Sequence, residues 1–135
     1  MKDERLDLEV LVAAARDVAK KAYAPYSRFR VGAAVVTEQA AVYTGCNVEN
    51  AAYGSTVCAE VSAITSAISA GEAHLEAIAV AALDGVDVFP CGNCRQVMRE
   101  FGVDKLIVDG TDGPTVYTLD DVFPHSFGPE DLGGD

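Results

Sequence analysis

Cys58-Ala59-Glu60 and Pro90-Cys91-Gly92-Asn93-Cys94 concentrate three thiols and one carboxyl group in two short stretches. Thiolates bind zinc tetrahedrally, and a catalytic zinc takes three protein ligands and leaves the fourth position to water. Cys58, Cys91 and Cys94 meet that count, one zinc per subunit. Cys91 and Cys94 stand three residues apart, so one helical turn can aim both at the same ion. Glu60 stands two residues after Cys58, which on a helix turns it to another side and makes it a partner of the water instead of a fourth ligand. A carboxyl group beside a zinc-activated water can take a proton and deliver it elsewhere, which is the equipment of a hydrolytic reaction. Two blander readings exist. Cys46 could complete a closed four-thiolate structural site, or Cys91 and Cys94 could form a redox pair at a helix start. The first leaves Glu60 without a task and the second leaves Cys58 and Glu60 without one. Cys46 lies in an apolar strand and reads as a small buried residue. His74 and His125 are isolated and are assigned no metal.

The surrounding elements must bring these stretches together. Leu8, Leu11, Ala15, Val18 and Ala22 recur at spacings of three and four, the pattern of a helix with one buried stripe. Ala24-Pro25 breaks it. Arg30–Thr37 and Val42–Asn47 are short, β-rich runs joined by residues 38–41, and read as a hairpin. After a polar loop over residues 48–56, an Ala- and Ile-rich helix over Val57–Ala70 stops at Gly71, and its apolar content on several sides predicts deep burial. Leu75–Ala82 is a continuous apolar run, as in a central strand covered on both faces. Pro90 is placed to open a helix through Phe101, with Gly102 at its end. Lys105–Asp109 and Thr115–Thr118 read as strands, Leu119–Phe123 as one helical turn, and residues 124–135 as irregular. This order predicts an α/β domain, three-layer α/β/α around a mixed five-stranded sheet. Cys58 and the Cys91/Cys94 pair then fall at helix N-termini, where unpaired N–H groups favour thiolate.

With 135 residues, half of them hydrophobic, residues 1–135 read as a single domain with a substantial core. Its opening residues lack the basic start and apolar stretch of a signal peptide, and four cysteines in such a chain suit a reducing compartment, so a cytoplasmic location is expected. The formal net charge of -11 disfavours a polynucleotide partner or a membrane surface and favours a small neutral substrate.

Four stretches together carry a family resemblance: Ala24-Pro25-Tyr26-Ser27-x-Phe29-x-Val31-Gly32-Ala33-Ala34, Gly45-Cys46-Asn47-Val48-Glu49-Asn50-Ala51-x-Tyr53, Cys58-Ala59-Glu60 and Pro90-Cys91-Gly92-x-Cys94-Arg95-Gln96. In them the chain resembles the small, homotetrameric cytidine deaminases of the three-cysteine zinc type, from Ala24 to about Phe127. The resemblance implies hydrolytic deamination of cytidine and 2'-deoxycytidine in pyrimidine salvage, with zinc on Cys58, Cys91 and Cys94. It implies that Phe29 packs near the base, that Asn47 and Glu49 bond the ribose hydroxyls, and that Tyr53 and the backbone at Ala59 and Cys91 belong to the substrate site. It implies a homotetramer in which Phe127 reaches over a neighbour's site. A deaminase for a modified cytosine nucleoside, of the blasticidin S type, is the alternative enzyme, and a zinc-stabilised interaction module the alternative outside enzymes.

The expected chemistry is attack of a zinc-bound hydroxide on C4 of the base, with Glu60 carrying the water proton to N3 and then to the leaving nitrogen. One position departs from the family pattern. Three-cysteine members commonly carry Arg directly after Cys-Ala-Glu, where this chain has Val61. Three thiolates and Zn²⁺ sum to -1, so a replacement donor is expected near the sulfurs, Arg95 first and Arg28 or Arg30 after it.

Overall fold

The computed structural model describes residues 6–133; the opening residues used above to argue against a signal peptide, and the last two, lie outside the described residues. Helix α1 (Leu8–Ala19) starts at Asp7, whose carboxylate accepts the Val10 N–H at 3.1 Å, and buries Leu11, Val12, Ala15 and Ala19 along one side. It ends three residues before Ala22. The reason is downstream: Tyr23 is drawn into a parallel bridge with Val48, donating its N–H to Asn47 O and accepting from Glu49 N–H.

Strands β1 (Val31–Thr37), β2 (Val42–Cys46), β3 (Leu75–Ala82), β4 (Lys105–Gly110) and β5 (Gly113–Thr118) form one sheet in the order β2-β1-β3-β4-β5. Only β3 and β4 run parallel, which makes the sheet mixed. Alternation along the central strands sorts their side chains to two faces. Ala34, Val36, Ala77, Ala79 and Ala81 meet α1, whereas Ala33, Val35, Ile78 and Val80 meet α2 (Ala59–Ser69) and α3 (Gly92–Glu100). The three-layer arrangement follows, and it explains why β1 and β3 read as unbroken apolar runs. Helix α2 is less enclosed than its composition predicts. Its inner side is buried at Ala59, Glu60, Ala63, Ile64 and Ala67, while Thr65, Ser66 and Ser69 face out.

Two glycines set how closely the helices approach. A Cβ on Gly32 would lie 1.9 Å from the Ala15 carbonyl oxygen of α1, and one on Gly45 would lie 2.4 Å from the Ala63 nitrogen of α2. Neither position has room for any other residue. The start of β1 is thereby held close against α1 and the end of β2 close against α2, at the end of the sheet that carries Val31 and Asn47. A short helix α4 (Leu119–Val122), capped by Thr118 and Asp121, and a 3-10 turn over Pro129–Leu132 complete the described chain.

Candidate functional site

Both predicted helix starts are shifted. Val57 exchanges two 2.9 Å hydrogen bonds with Val48, which hold it extended, so Cys58 is the N-cap and α2 begins at Ala59. At α3 the N-cap is Cys91 and not Pro90, which precedes the helix. The shifts suit the chemistry better than the expected boundaries. N-cap residues are extended, and the free N–H groups of the first turn point back toward their side chains.

The three sulfurs converge. The Cys58 and Cys91 sulfurs are 3.9 Å apart, those of Cys91 and Cys94 are 3.6 Å apart, and all three lie within 4.8 Å of one another. Two sulfurs each ~2.3 Å from a tetrahedral zinc would lie about 3.8 Å apart, so the donor set fits that ion without rearrangement. Cys46 is outside this group, on β2 opposite Gly32, and the four-thiolate reading loses its fourth ligand. Glu60 lies beside the sulfurs and is only 5% exposed. Burial pushes its carboxyl pKa up, and its own N–H and the Cys94 thiol reduce this without cancelling it.

The metal-free thiols are unequal. Burial, and then the nearby Glu60 and Cys58, push Cys94 far above the usual thiol range, and burial also raises Cys58. Burial acts in the same direction on Cys91, but donation from the Cys94 N–H, the Cys94 and Cys58 thiols and the Asn93 N–H outweighs it and lowers Cys91 overall. Zinc takes thiolates, so at neutral pH its binding must expel the protons of Cys58 and Cys94. The metal-free form holds protons that the loaded form lacks, and acidification therefore releases zinc. With at least two protons displaced, the apparent zinc affinity should fall about 100-fold for each unit by which the pH is lowered through the neutral range. Chelator competition across pH measures that slope; a slope below about ten-fold per unit would remove one of these cysteines from the ligand set.

The sulfurs and Glu60 open on a cavity of about 170 Å³, lined also by Val31, Asn47, Thr56, Ala59, Val88 and Phe89. Thr56 is shared with a wider hollow of about 420 Å³ lined by Tyr26, Ser27, Glu49, Asn50 and Tyr53. Glu49 accepts the Tyr26 and Ser27 N–H groups and the Ser27 hydroxyl, and the hydroxyl bond above all holds its carboxyl below the ordinary range. The Asn47 side chain is occupied on both sides: Oδ1 accepts Val31 N–H and Nδ2 donates to Phe29 O, each at 2.9 Å. Tyr53 stands edge-on to Tyr26 at 6.4 Å. Phe29 lies outside both hollows, its ring against Gly85. Phe127 is also outside them, 56% exposed, with its carbonyl oxygen accepting from Gln96 Nε2.

Thr56, Val88 and Phe89 line the cavity and escape sequence reading. Phe89 precedes Pro90-Cys91, and that adjacency is the signal that could have found it. The expectation for Arg95 is overturned. Its Nη1 donates to Val122 O at 2.6 Å and its guanidinium lies over Phe123, because the α3 side that bears it packs on α4. Arg30 pairs with Asp84. The N-termini of α2 and α3 are the positive ends that face the sulfurs.

Residues 6–109 match the family model for the cytidine and deoxycytidylate deaminase zinc-binding region. The cytidine deaminase of Mycobacterium tuberculosis (strain ATCC 25618 / H37Rv) is 42% identical over 127 residues, 94% of each chain. That of Sporosarcina psychrophila is 41% identical over 130 residues, 94% of this chain and 96% of its own. Among solved structures, the cytidine deaminase from Burkholderia pseudomallei aligns with a TM-score of 0.83 at 42% identity, covering 90% of this chain and 100% of that one. The Mycobacterium tuberculosis structure aligns with a TM-score of 0.81 at 42% identity, covering 91% and 98%. The family match includes Cys58, Glu60, Cys91 and Cys94, and the chain belongs to the cytidine and deoxycytidylate deaminase family of zinc-dependent hydrolases.

Proposed function

We propose that residues 1–135 act as one nucleoside deaminase domain that converts cytidine and 2'-deoxycytidine, with water, to uridine and 2'-deoxyuridine and ammonia in cytoplasmic pyrimidine salvage. The observation that carries this is a pair of neighbouring cavities that share Thr56 as a wall. One holds three convergent thiols and a buried carboxyl group, and the other holds an ionised carboxylate among aromatic rings. A ring to be deaminated suits the first and a sugar the second.

Zinc, held by Cys58, Cys91 and Cys94, would act when bound as a Lewis acid that lowers the pKa of water to about 7. Glu60 takes one proton from the attacking water and gives it to N3 as oxygen bonds to C4. It then moves the second water proton to the exocyclic nitrogen, the C4–N bond breaks, ammonia leaves and the C4 carbonyl forms. A carboxyl group raised by burial stays close enough to neutrality to act in both directions. The backbone at Ala59 and Cys91 positions the base at the mouth of the two helix starts. Glu49, already fixed by three donors, accepts from the sugar hydroxyls, and the second N–H of Asn47 Nδ2 can join it. Tyr53 closes the sugar side, and Phe29, its ring packed on Gly85 outside both hollows, supports the base side through its carbonyl oxygen, which accepts from Asn47 Nδ2.

The residues lining the sugar end carry one carboxylate and no cationic side chain. A 5'-phosphate would meet negative charge there, and free cytosine would leave Glu49 without its partner. Cytidine should therefore exceed both cytosine and deoxycytidine 5'-monophosphate in kcat/KM by at least about 10²-fold, a floor set below the roughly 10⁴- to 10⁵-fold with which sites built for a hydroxyl reject an analogue lacking it. An absorbance assay on the three compounds decides; equal efficiency on cytidine and either of the other two overturns the nucleoside assignment. The reading includes a homotetramer in which Phe127 covers a neighbour's site, supported by the exposed rings of Tyr26, Tyr53, Phe89 and Phe127. Light scattering that reports a 14.1 kDa particle would remove it.

A further inference from the structure

The metal-end cavity has two walls that belong to different parts of the chain. Val31 and Asn47 form one; Val88 and Phe89, on the loop leading from β3 to Cys91, form the other. β1 and β3 pair as far as Val31 and Ala82, and beyond that point nothing in a sheet would hold them together. The pairing is nevertheless continued. Leu83 donates its N–H to Arg30 O at 3.0 Å, and Asp84 Oδ2 accepts the Arg30 N–H at 2.8 Å, a carboxylate oxygen standing where the next strand carbonyl would be. The Arg30 guanidinium closes on the same carboxylate, Nε to Oδ2 at 3.1 Å and Nη2 to Oδ1 at 3.0 Å.

We infer that the Asp84–Arg30 pair is a positioning latch that sets the distance between the two walls and so determines how well the base is held; this rests on the deaminase reading above. Three observations bear on it. The latch lies one residue from Val31 and begins the segment that carries Val88 and Phe89. Phe29, next to Arg30, lies with its ring 3.2 Å from where a Cβ on Gly85 would stand, so residues 29–31 and 84–85 interlock. Midway along the loop, Asp87, at a φ of 56°, donates its N–H to Asp109 O and accepts the Thr111 hydroxyl at 2.7 Å. Before Phe89 the loop is thus tethered at Asp84 and at Asp87, and the Asp84 tether is the one that joins it to β1, the strand of the opposite wall. Apart from the Phe29 N–H, which donates to Ser27 Oγ, the backbone groups of residues 29–31 bond to Asn47 on one side and to Leu83 and Asp84 on the other, so losing Asp84 releases one side only. Arg30 and Asp84 have side-chain exposures of 45% and 29%, and pairs this open to solvent add little to global stability. Their loss should appear in substrate binding before it appears in unfolding.

The experiment uses the zinc-loaded full chain. Asp84→Ala should raise KM for cytidine about 10-fold while kcat stays within about three-fold, since a misplaced positioning contact costs that much or more. Zinc content and melting temperature should match the parent. Arg30→Ala should move KM in the same direction, and the double variant should be no worse than Asp84→Ala, as expected for two members of one unit. Asp84→Asn keeps an oxygen for the Arg30 N–H and should recover most of the loss; if Asp84→Ala does not fold, the KM of Arg30→Ala decides the matter. Asp17→Asn, which breaks the exposed pair with Lys20 on α1, serves as the control and should leave KM unchanged. A KM within about two-fold of the parent in zinc-loaded Asp84→Ala, or in Arg30→Ala where Asp84→Ala does not fold, overturns the latch alone. A KM rise matched by equal losses of kcat and zinc would make the pair merely structural and also overturns it. A zinc-loaded parent inert on cytidine overturns the deaminase reading, and the latch with it.

Discussion

Glu60→Gln is expected to retain one zinc per chain and to lose kcat by about 10²- to 10⁴-fold, the range for removing a general acid–base group. The amide has the size of the carboxyl and can occupy the same slot at the start of α2, where Glu60 is 5% exposed. What it cannot do is take a proton from water at neutral pH and give it up again. Two transfers depend on the one group, to N3 and then to the leaving nitrogen, so both halves of the reaction slow together. KM should change far less than kcat, because the amide side chain would still fill the floor of the cavity. Steady-state kinetics combined with metal analysis by mass spectrometry checks the result. Near-parent turnover in a zinc-loaded variant would assign the proton transfers elsewhere, and no other buried carboxyl group lines the cavity among the described residues.

What the sequence discloses and what it hides divide along a physical line. The sheet is legible because β1 and β3 are buried on both faces and cannot disguise it with polar alternation. The thiols and Glu60 are legible because few other tasks need those residue types at those spacings. Helix boundaries are less so, since they are decided by partners far along the chain: Val48 holds Val57 out of α2, and Asn47 and Glu49 draw Tyr23 away from α1. Arg95 misleads for a related reason. Adjacency to Cys94 suggests a bond to sulfur, yet the side chain next to a ligand on a helix points about 100° away from it, and here that direction leads to Val122 and Phe123. The Arg30–Asp84 latch joins residues 54 apart and has no local signature at all. Asn47 carries a resemblance to a sugar ligand, but its geometry adds a second task, bracing Phe29 and Val31 from the side opposite the latch.

Cys94→Ala is expected to lose zinc and, with it, much of the stability of the fold. Cys94 is fully buried, the third residue of α3, while Cys58 caps α2; zinc would tie the starts of these two helices together. Without it, α2 and α3 are left with the core they share around Ile64 and Met98. Two thiolates no longer make a tetrahedral site, and binding free energy in such centres is folding free energy. For a metal present at about 1,000 times its Kd the linked stabilisation is about 4 kcal/mol. At roughly 3 °C per kcal/mol for a chain of this size, the melting temperature should drop by more than about 10 °C. Chelating zinc from the parent should reproduce most of that drop, which separates loss of metal from loss of a buried side chain. Cys46→Ala should do neither, since that thiol lies on β2 apart from the three-sulfur group. If the chelated parent melts where the loaded protein does, the two helix starts are held by packing alone and zinc contributes only to chemistry. If Cys94→Ala keeps its zinc, the metal is held by a ligand set other than Cys58, Cys91 and Cys94, and the reading of Glu60 as the group beside its water falls with it.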